Sequence, residues 1–406
     1  MSFRCRSCGG GRFAPVIDLG TTPLANALLE PGRLDAAEPR FPLNVVFCED
    51  CSLVQITETV PPEVLFSDYV YFSSVSDAAV AAAKALAERL ARERKLDSAS
   101  LVVEAASNDG YLLQHYRRMG IPVLGVEPAE NIARVAEERG IRTRCAFFGE
   151  NEARALAAEG LRCDVFHANN VLAHVADLNG FAAGLAMVLK PGGIASIEVP
   201  YLRDLIENIE FDTIYHEHLC YFSSTALDRL FARHGLTLCD VERIPIHGGS
   251  LRAFVVHAGG VRSPAVASLL AEEDRLGMTS AGYFADFAAR VADLKRDLVA
   301  LLTKLKQEGR TLAAYGASAK GATLLNHFGI GRDLLDYVVD RSPAKQGKLT
   351  PGTHLPIVPP AVLLERRPDH VLLLTWNFVD EILEQQSVYR AAGGKFIVPV
   401  PEIRIV

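Results

Sequence analysis

The sequence predicts an α/β chain in three parts: a small metal-binding module followed by two Rossmann-like lobes. Two Cys-x-x-Cys pairs stand near the N-terminus, at Cys5/Cys8 and at Cys48/Cys51. After them, a buried strand, a tight turn and a helix follow one another twice, first from residue 101 and again from residue 311. We expect the module to span residues 1–65, the first lobe 66–260 and the second lobe 261–406.

The N-terminal cysteines predict a zinc-ribbon-like module. Two knuckles bring four thiolates to one tetrahedral ion. Four cysteine ligands leave no open position on the metal, so we expect the zinc to be structural and not catalytic. The alternatives are unligated cysteines or a redox pair. A disulfide framework is not favoured in a large chain without a secretion signal.

Composition and charge limit the possible partners. The 406 residues are 49% hydrophobic, which suffices for more than one core. A net charge of -7 does not suit a nucleic-acid-binding protein, because neutralising phosphates requires a basic surface. No apolar run approaches the roughly 18 residues that span a bilayer, and the N-terminus has no apolar signal segment. We expect a soluble, cytoplasmic protein that binds neither nucleic acid nor a membrane.

The first lobe carries the signs of a nucleotide-type cofactor site. Leu101–Ala105 is typical of a buried parallel strand, and its turn ends at Gly110. A second strand, Val123–Val126, leads into Glu127, whose carboxylate can accept both ribose hydroxyls. The strand that begins at Cys163 leads to Asn169.

The turn itself favours S-adenosylmethionine over NAD. A dinucleotide fingerprint has three glycines, whereas here Ala106 and Asn108 replace two of them and Glu104 comes first. An acid would repel a pyrophosphate and attract a cationic amino group. With Lys190-Pro191-Gly192-Gly193 before a later strand, these features resemble a class I S-adenosylmethionine methyltransferase. The alternative is a similar sheet that binds another nucleotide. The predicted cofactor-binding residues are Glu104, Asn108, Gly110, Glu127 and Asn169.

Five motifs in a fixed order carry a closer resemblance. They are the paired Cys-x-x-Cys knuckles, Ser107–Gly110, Asn169–His174, Tyr215–His218 and His247–Ser250. Along essentially the whole chain they resemble the zinc-containing sugar C-methyltransferases of deoxysugar biosynthesis, the tetronitrose and mycarose 3-C-methyltransferases. The resemblance implies that a nucleotide-linked 4-keto-6-deoxysugar, with dTDP as the expected nucleotide, loses its C3 proton and receives a methyl group on that carbon.

The resemblance also implies residue roles. His218 matches the base, Tyr215 and Glu217 match its neighbours, His174 matches a second active-site histidine and Tyr71 matches an active-site tyrosine. The chemistry is consistent with these roles, because an imidazole is a suitable base near neutral pH and an enolate needs hydrogen-bond donors. The other use of His216-Glu217-His218 would be metal binding, but the H-E-x-x-H spacing is missing.

The C-terminal half predicts a second nucleotide site. A helix from about Ala281 to Glu308 leads to a strand that ends at Tyr315, and we expect a helix from about Ala322. The turn between that strand and that helix offers backbone N–H groups to a pyrophosphate, and a strand from Leu335 ends at Asp340. The alternative is a lobe that binds no ligand. The predicted substrate-binding residues are His216, Ser318, Lys320, Asp340 and Asn377.

Three alternatives to C-methylation stay open at this point. A methyltransferase of this kind could act on an oxygen or a nitrogen of a related nucleotide sugar. An NAD-dependent sugar oxidoreductase could use either lobe, although the turn after Leu101–Ala105 is poor in glycine. An interaction protein built on the zinc-ribbon-like module would not explain the cluster of ionisable side chains at Tyr215–His218.

Overall fold

A computed structural model describes residues 3–34, 37–61, 65, 72–246 and 248–406, and within these residues the strands form three sheets. The strands are β1 (Phe13–Pro23), β2 (Arg40–Cys48), β3 (Val54–Ile56), β4 (Val102–Ala105), β5 (Val123–Val126), β6 (Thr143–Arg144), β7 (Cys163–Asn169), β8 (Leu189–Pro200), β9 (Cys220–Tyr221), β10 (Leu236–Ile244), β11 (Ser250–His257), β12 (Leu312–Tyr315), β13 (Val338–Val339), β14 (Ile357–Val358), β15 (His370–Leu373), β16 (Lys395–Val398) and β17 (Arg404–Ile405).

Helices cover the second and third sheets and connect their strands. They are α1 (Asp77–Glu93), α2 (Leu113–Arg118), α3 (Glu130–Glu138), α4 (Glu150–Ala158), α5 (Leu178–Val188), α6 (Leu202–Glu207), α7 (Ser224–Ala232), α8 (Pro264–Arg275), α9 (Phe287–Gln307), α10 (Ala319–Phe328), α11 (Ala361–Arg366), α12 (Val379–Gln385) and α13 (Ser387–Ala391). Among the described residues, none of these helices has the length and apolar character needed to cross a membrane.

The first sheet is antiparallel, in the order β1-β2-β3-β9. Along β2, Leu43, Val45 and Phe47 are buried and alternate with half-buried residues, as expected when one face of a sheet packs on a core. Three strands come from the N-terminal module. The fourth, β9, comes from the middle of the chain and directly follows the Tyr215–His218 loop. The module is therefore hydrogen-bonded to that loop's end.

The second sheet has the order β10-β11-β8-β7-β4-β5-β6. Strands β4, β5, β6, β7 and β8 are parallel, and β11 runs antiparallel between β8 and β10. Helix α1 packs on this sheet through Ala83, Leu86, Ala87 and Leu90, an apolar stripe of helical period, and the Ser76 hydroxyl caps its start. The carboxyl ends of β4, β5 and β7 lie side by side, which is where ligands bind in such sheets.

The third sheet has the order β14-β13-β12-β15-β16-β17 and is parallel except for β17. The predicted fold class, with an N-terminal module and two Rossmann-like sheets, is confirmed. Two predicted helix starts were wrong. Ala281–Phe284 forms a 3₁₀ turn and α9 begins at Phe287. Helix α10 begins at Ala319, because the Ser318 hydroxyl accepts a hydrogen bond from the Gly321 N–H and caps the helix.

Candidate active site

The four N-terminal cysteines lie together. Their sulfur atoms are all within 4.8 Å of one another, with 3.5 Å between Cys5 and Cys51 and 3.6 Å between Cys8 and Cys48. Four sulfurs at bonding distance from one zinc ion would stand about 3.8 Å apart, given Zn–S bonds of about 2.3 Å. Gln55 Nε2 donates to Cys5 Sγ at 3.1 Å, as polar groups around metal-bound thiolates do. The donor set and its spacing therefore fit a zinc ion.

The turn after β4 has the backbone shape of a glycine-rich turn although it has only one glycine. Ala106 and Asn108 take φ values of 47° and 49°, in the left-handed region that glycine normally occupies, and Gly110 takes 78°. A Cβ atom on Gly110 would stand 2.7 Å from a carbon of Ile141, so glycine is also needed there for space. The departures from the glycine pattern therefore leave the turn intact.

Glu127 holds this turn at the end of β5. Its carboxylate accepts hydrogen bonds from the backbone N–H groups of Asn108 and Ala129, each at 2.9 Å. Each carboxylate oxygen can accept a second hydrogen bond. Glu127 therefore holds the turn and has capacity left for hydroxyl groups, and its contact with the ribose stays a prediction.

Glu104 is the residue that tests whether the site suits S-adenosylmethionine. It is 1% exposed, and its Oε2 has no hydrogen-bond partner in the described part of the chain. Burial raises the pKa of Glu104 well above its usual value, and the nearby carboxylates of Glu127 and Glu198 add to the shift. A cationic amino group beside this carboxylate would reverse that effect. Glu104 therefore fits the methionine end of the cofactor. Asn169 ends β7, the strand next to β4, and its Oδ1 is likewise buried without a described partner.

The Tyr215–His218 loop lies where the three sheets meet. It follows the 3₁₀ turn Phe211–Thr213 and precedes β9. From the first module, Asn26 Nδ2 donates to Glu217 Oε1 at 2.6 Å. From the methyltransferase-like second part, the Ala173 carbonyl accepts a hydrogen bond at 2.7 Å from the N–H of Leu219, the residue after the loop. From the C-terminal third part, the Thr323 hydroxyl donates at 3.2 Å to the carbonyl of Ile214, the residue before the loop. Each of the three parts therefore fixes one side of this loop.

His218 is held by hydrogen bonds at both of its ring nitrogens. Its Nδ1 is 2.8 Å from the Thr213 carbonyl oxygen, which can only accept a hydrogen bond, so Nδ1 carries the proton. In the neutral ring Nε2 is then the acceptor, and the Tyr215 hydroxyl donates to it at 2.8 Å. The two rings are also in contact, tilted by 32° with 4.1 Å between centroids. The sequence predicted this pair, but it could not show which backbone group sets the tautomer.

His174 and Glu217 complete the cluster. The His174 ring meets the His218 ring edge-on, with 4.7 Å between centroids. Burial lowers the pKa of His174 to about 4, although a hydrogen bond with the Glu217 backbone opposes the shift. Burial raises the pKa of Glu217 to about 7, although the hydrogen bond from Asn26 opposes it. His174 is therefore a neutral ring at neutral pH, whereas Glu217 can gain or lose a proton there.

His216 faces away from this cluster. Its Nε2 donates to the carbonyl oxygens of Phe41 and Pro42 in β2, at 3.3 and 3.2 Å, and the side chain is 1% exposed. These bonds attach the loop to the first module. The contact of His216 with a substrate stays a prediction.

The predicted substrate residues of the third sheet lie close to the carboxyl ends of its strands. The Asp340 carboxylate accepts from the backbone N–H groups of Ala317 and Ser342, each at 2.8 Å. Lys320 is in the first turn of α10, and its Nζ lies 4.5 Å from the centre of the Trp376 ring. Asn377 follows Trp376 in the 3₁₀ turn Trp376–Phe378 after β15.

Two predicted motif residues cannot be placed, and two groups of the site were not predicted from the sequence. Tyr71 and His247 lie outside the described residues. Sequence reasoning missed Asn26 and the Thr213 carbonyl. A lone asparagine in a loop carries no signal of its own, and a backbone carbonyl has none in any sequence.

Three family models match the chain in succession. Residues 5–66 match a "Putative zinc binding domain", residues 77–241 a "Methyltransferase domain" and residues 245–401 a "C-methyltransferase C-terminal domain". The chain is 36% identical over 404 residues to the C-methyltransferase NovU of Streptomyces niveus, covering 99% of this chain and 96% of NovU. It is 34% identical over 113 residues to a ubiquinone biosynthesis O-methyltransferase of Bradyrhizobium sp. (strain ORS 278), covering 26% of this chain and 42% of that protein.

Among solved structures, the PH0226 protein from Pyrococcus horikoshii OT3 is 17% identical, with a TM-score of 0.37, and the match covers 49% of this chain and 100% of that one.

The methyltransferase domain match and the seven-stranded sheet define a class I, S-adenosylmethionine-dependent methyltransferase. The match along nearly the whole of NovU narrows the class, and the chain belongs to the C-methyltransferase family. The family assignment confirms the predicted methylation on carbon. The main activity is therefore neither that of an NAD-dependent oxidoreductase nor that of an interaction protein.

Proposed function

We propose that this enzyme removes the C3 proton of a nucleotide-linked 4-keto-6-deoxysugar and methylates the same carbon. The observation that carries the proposal is the environment of His218: Nδ1 holds the ring proton against the Thr213 carbonyl, Nε2 accepts a hydrogen bond from the Tyr215 hydroxyl, and the half-buried ring stands at the junction of three sheets. A proton beside a ketone is acidic enough for an imidazole only when the resulting enolate is stabilised.

The loop supplies both functions. The C3 proton passes to His218 Nε2, and the electrons of the C–H bond move into the C3–C4 bond and onto the ketone oxygen. For Nε2 to take that proton, the Tyr215 hydroxyl, which donates to Nε2 at 2.8 Å in this structure, turns to the ketone oxygen and donates to it as charge develops. The neutral ring of His174, which meets the His218 ring edge-on, is proposed to act as a second active-site histidine beside the base. Tyr71 is proposed as a further hydroxyl donor. Glu217 is proposed to help orient the cluster and to exchange protons with it.

The cofactor is proposed to lie along the carboxyl ends of β4, β5 and β7. Glu104 would hold the methionine amino group, Glu127 the ribose hydroxyls, and the turn through Asn108 and Gly110 would let the cofactor approach the backbone. Bound S-adenosylmethionine supplies the electrophilic methyl group. Asn169 ends the strand that leads to His174, so it would stand between the cofactor and the base.

The nucleotide, which we propose to be dTDP, would bind at the third sheet. Ser318 and Lys320 stand at the start of α10, where a helix N-terminus and an ammonium group favour a diphosphate. Asp340 and Asn377 stand at the neighbouring strand ends. Zinc, bound by the four cysteines, would stabilise the module that supplies Asn26. The corresponding domains are proposed to be residues 1–65, 66–260 and 261–406.

The test is the exchange of the C3 proton. Incubated in D₂O with a dTDP-4-keto-6-deoxysugar and no methyl donor, the native enzyme should place deuterium beside the ketone, as NMR would show. His218→Asn should slow exchange and methylation by about 10²–10⁴-fold while S-adenosylmethionine binding persists. His257→Asn is a matched control, because His257 also contacts a backbone carbonyl, that of Leu189, but lies away from the loop. Exchange by His218→Asn at the native rate would exclude His218 as the base.

A further inference from the structure

We propose that Trp376, on the third sheet, is a positioning residue for proton abstraction: it holds the 3₁₀ turn whose last carbonyl orients His218. This inference rests on the proposed role of His218 as the base. Trp376 follows β15 and is 7% exposed. Its influence on the base would pass through the turn Phe211–Thr213.

The first step is a buried hydrogen bond between two parts of the chain. Trp376 Nε1 donates to Asp212 Oδ2 at 2.7 Å, and Asp212 is 0% exposed. A buried carboxylate needs hydrogen-bond donors, since an unsatisfied buried charge is costly. Together with the backbone N–H groups of Asp212 and Thr213, the indole N–H therefore helps to fix where Asp212 lies, and with it the turn Phe211–Thr213.

The second step is the geometry of the base. Thr213 is the residue after Asp212, and its carbonyl oxygen accepts the hydrogen bond from His218 Nδ1 at 2.8 Å. Hydrogen bonds weaken steeply as distance and angle depart from their optimum. If the turn moved, Nδ1 would lose its acceptor, the proton could occupy Nε2 instead, and the lone pair would no longer face the substrate carbon.

The third step connects this turn to the nucleotide site. Lys320 Nζ lies 4.5 Å from the centre of the Trp376 ring and has no hydrogen-bond partner in the described part of the chain. A cation over an indole face is attracted to it. The proposed ligand of Lys320 is the diphosphate of the substrate. Trp376 therefore stands between the group that would bind the nucleotide and the turn that orients the base.

The chain contains one tryptophan, so fluorescence reports this contact directly. Adding dTDP to the native enzyme, without the sugar, should shift the emission or change its intensity, because an anion that draws Lys320 towards itself alters the charge over the ring. No change at concentrations that saturate dTDP binding, measured by calorimetry, would overturn the link between the nucleotide site and Trp376.

The decisive variant is Trp376→Phe, which keeps an aromatic ring and removes the N–H. We expect kcat for methylation and the rate of deuterium exchange to fall about 10- to 100-fold, the range that a misplaced catalytic group costs. The KM of the nucleotide sugar and the Kd of S-adenosylmethionine should stay within about threefold, because uniform binding is not affected. A KM that rises with kcat unchanged would overturn the proposal, since Trp376 would then only bind substrate.

Two further variants separate orientation from loss of structure. Asp212→Asn keeps an oxygen for the indole N–H, so its rate of deuterium exchange should fall less than that of Asp212→Leu. Equal losses of exchange rate in the two variants would overturn the role of this hydrogen bond. Tyr389→Phe is the matched control, because it removes another buried donor of the same lobe, the 2.6 Å bond to the Pro368 carbonyl, far from the loop. Its exchange rate should equal that of the native enzyme.

The outcome for His218→Asn keeps the two proposals apart. If that variant exchanges as fast as the native enzyme, the proposed base is wrong. If that variant does not exchange but Trp376→Phe exchanges at the native rate, only the positioning role of Trp376 is overturned.

Discussion

Glu217 provides a prediction whose size can be worked out from its surroundings. Its side chain is 5% exposed and its Oε1 accepts the hydrogen bond from Asn26. Burial raises its pKa from 4.5 to about 7 in the folded chain. In the unfolded chain the carboxyl group is solvated and its pKa returns close to the ordinary value. Replacing Glu217 with Gln keeps an oxygen for Asn26 and removes the ionisation.

The sign follows from the raised pKa. Below pH 4.5 the carboxyl group is protonated in both states, and its favourable contribution to the native fold is fully present. As the pH rises through about 7, the folded chain must hold a buried charge that the unfolded chain holds in water, and the contribution is lost. A difference between 4.5 and about 7, at about 1.36 kcal/mol per pKa unit, amounts to about 3 kcal/mol.

The assay compares the free energy of unfolding in urea for the native enzyme and Glu217→Gln at about pH 5 and about pH 8.5. The variant should gain about 2–3 kcal/mol relative to the native enzyme across that interval, and other titrating groups cancel in the difference. Asn26→Leu should enlarge the native enzyme's loss, because the hydrogen bond that opposes the shift is removed. A difference between Glu217→Gln and the native enzyme that does not change with pH would refute the raised pKa.

Two other predictions concern the bound groups. Native protein should carry about one zinc ion per chain, and Cys48→Ser should lose it and melt at a lower temperature, as metal analysis and calorimetry would show; native protein free of zinc would contradict the assignment of the four cysteines. Glu104→Gln should weaken S-adenosylmethionine binding about tenfold or more in a calorimetric titration, because a charge-assisted contact is worth about 1.5–3 kcal/mol; unchanged affinity would show that Glu104 does not face the cofactor's amino group.

Local sequence patterns predicted the class of fold and the ionisable side chains of the site. The Cys-x-x-Cys pairs, the strand–turn–helix repeats and the His/Tyr/Glu loop are local patterns, in which neighbours along the chain limit what a segment can form. That is why the strand Val123–Val126 was predicted with the bounds that the structure has. The same reasoning misplaced the start of α10, because a serine that caps a helix reads in the sequence like any other turn residue.

Which side chains pair with one another at the site depends on contacts between distant parts of the chain. His216 and His218 are two residues apart, yet one donates to backbone carbonyls of β2 and the other presents its Nε2 to Tyr215. The donor to Glu217 comes from Asn26, 191 residues earlier in the chain. The physical reason is that a side chain's partner depends on which distant surfaces pack against it. Those surfaces meet at the loop only in the folded chain, where all three parts of the chain contribute contacts to it.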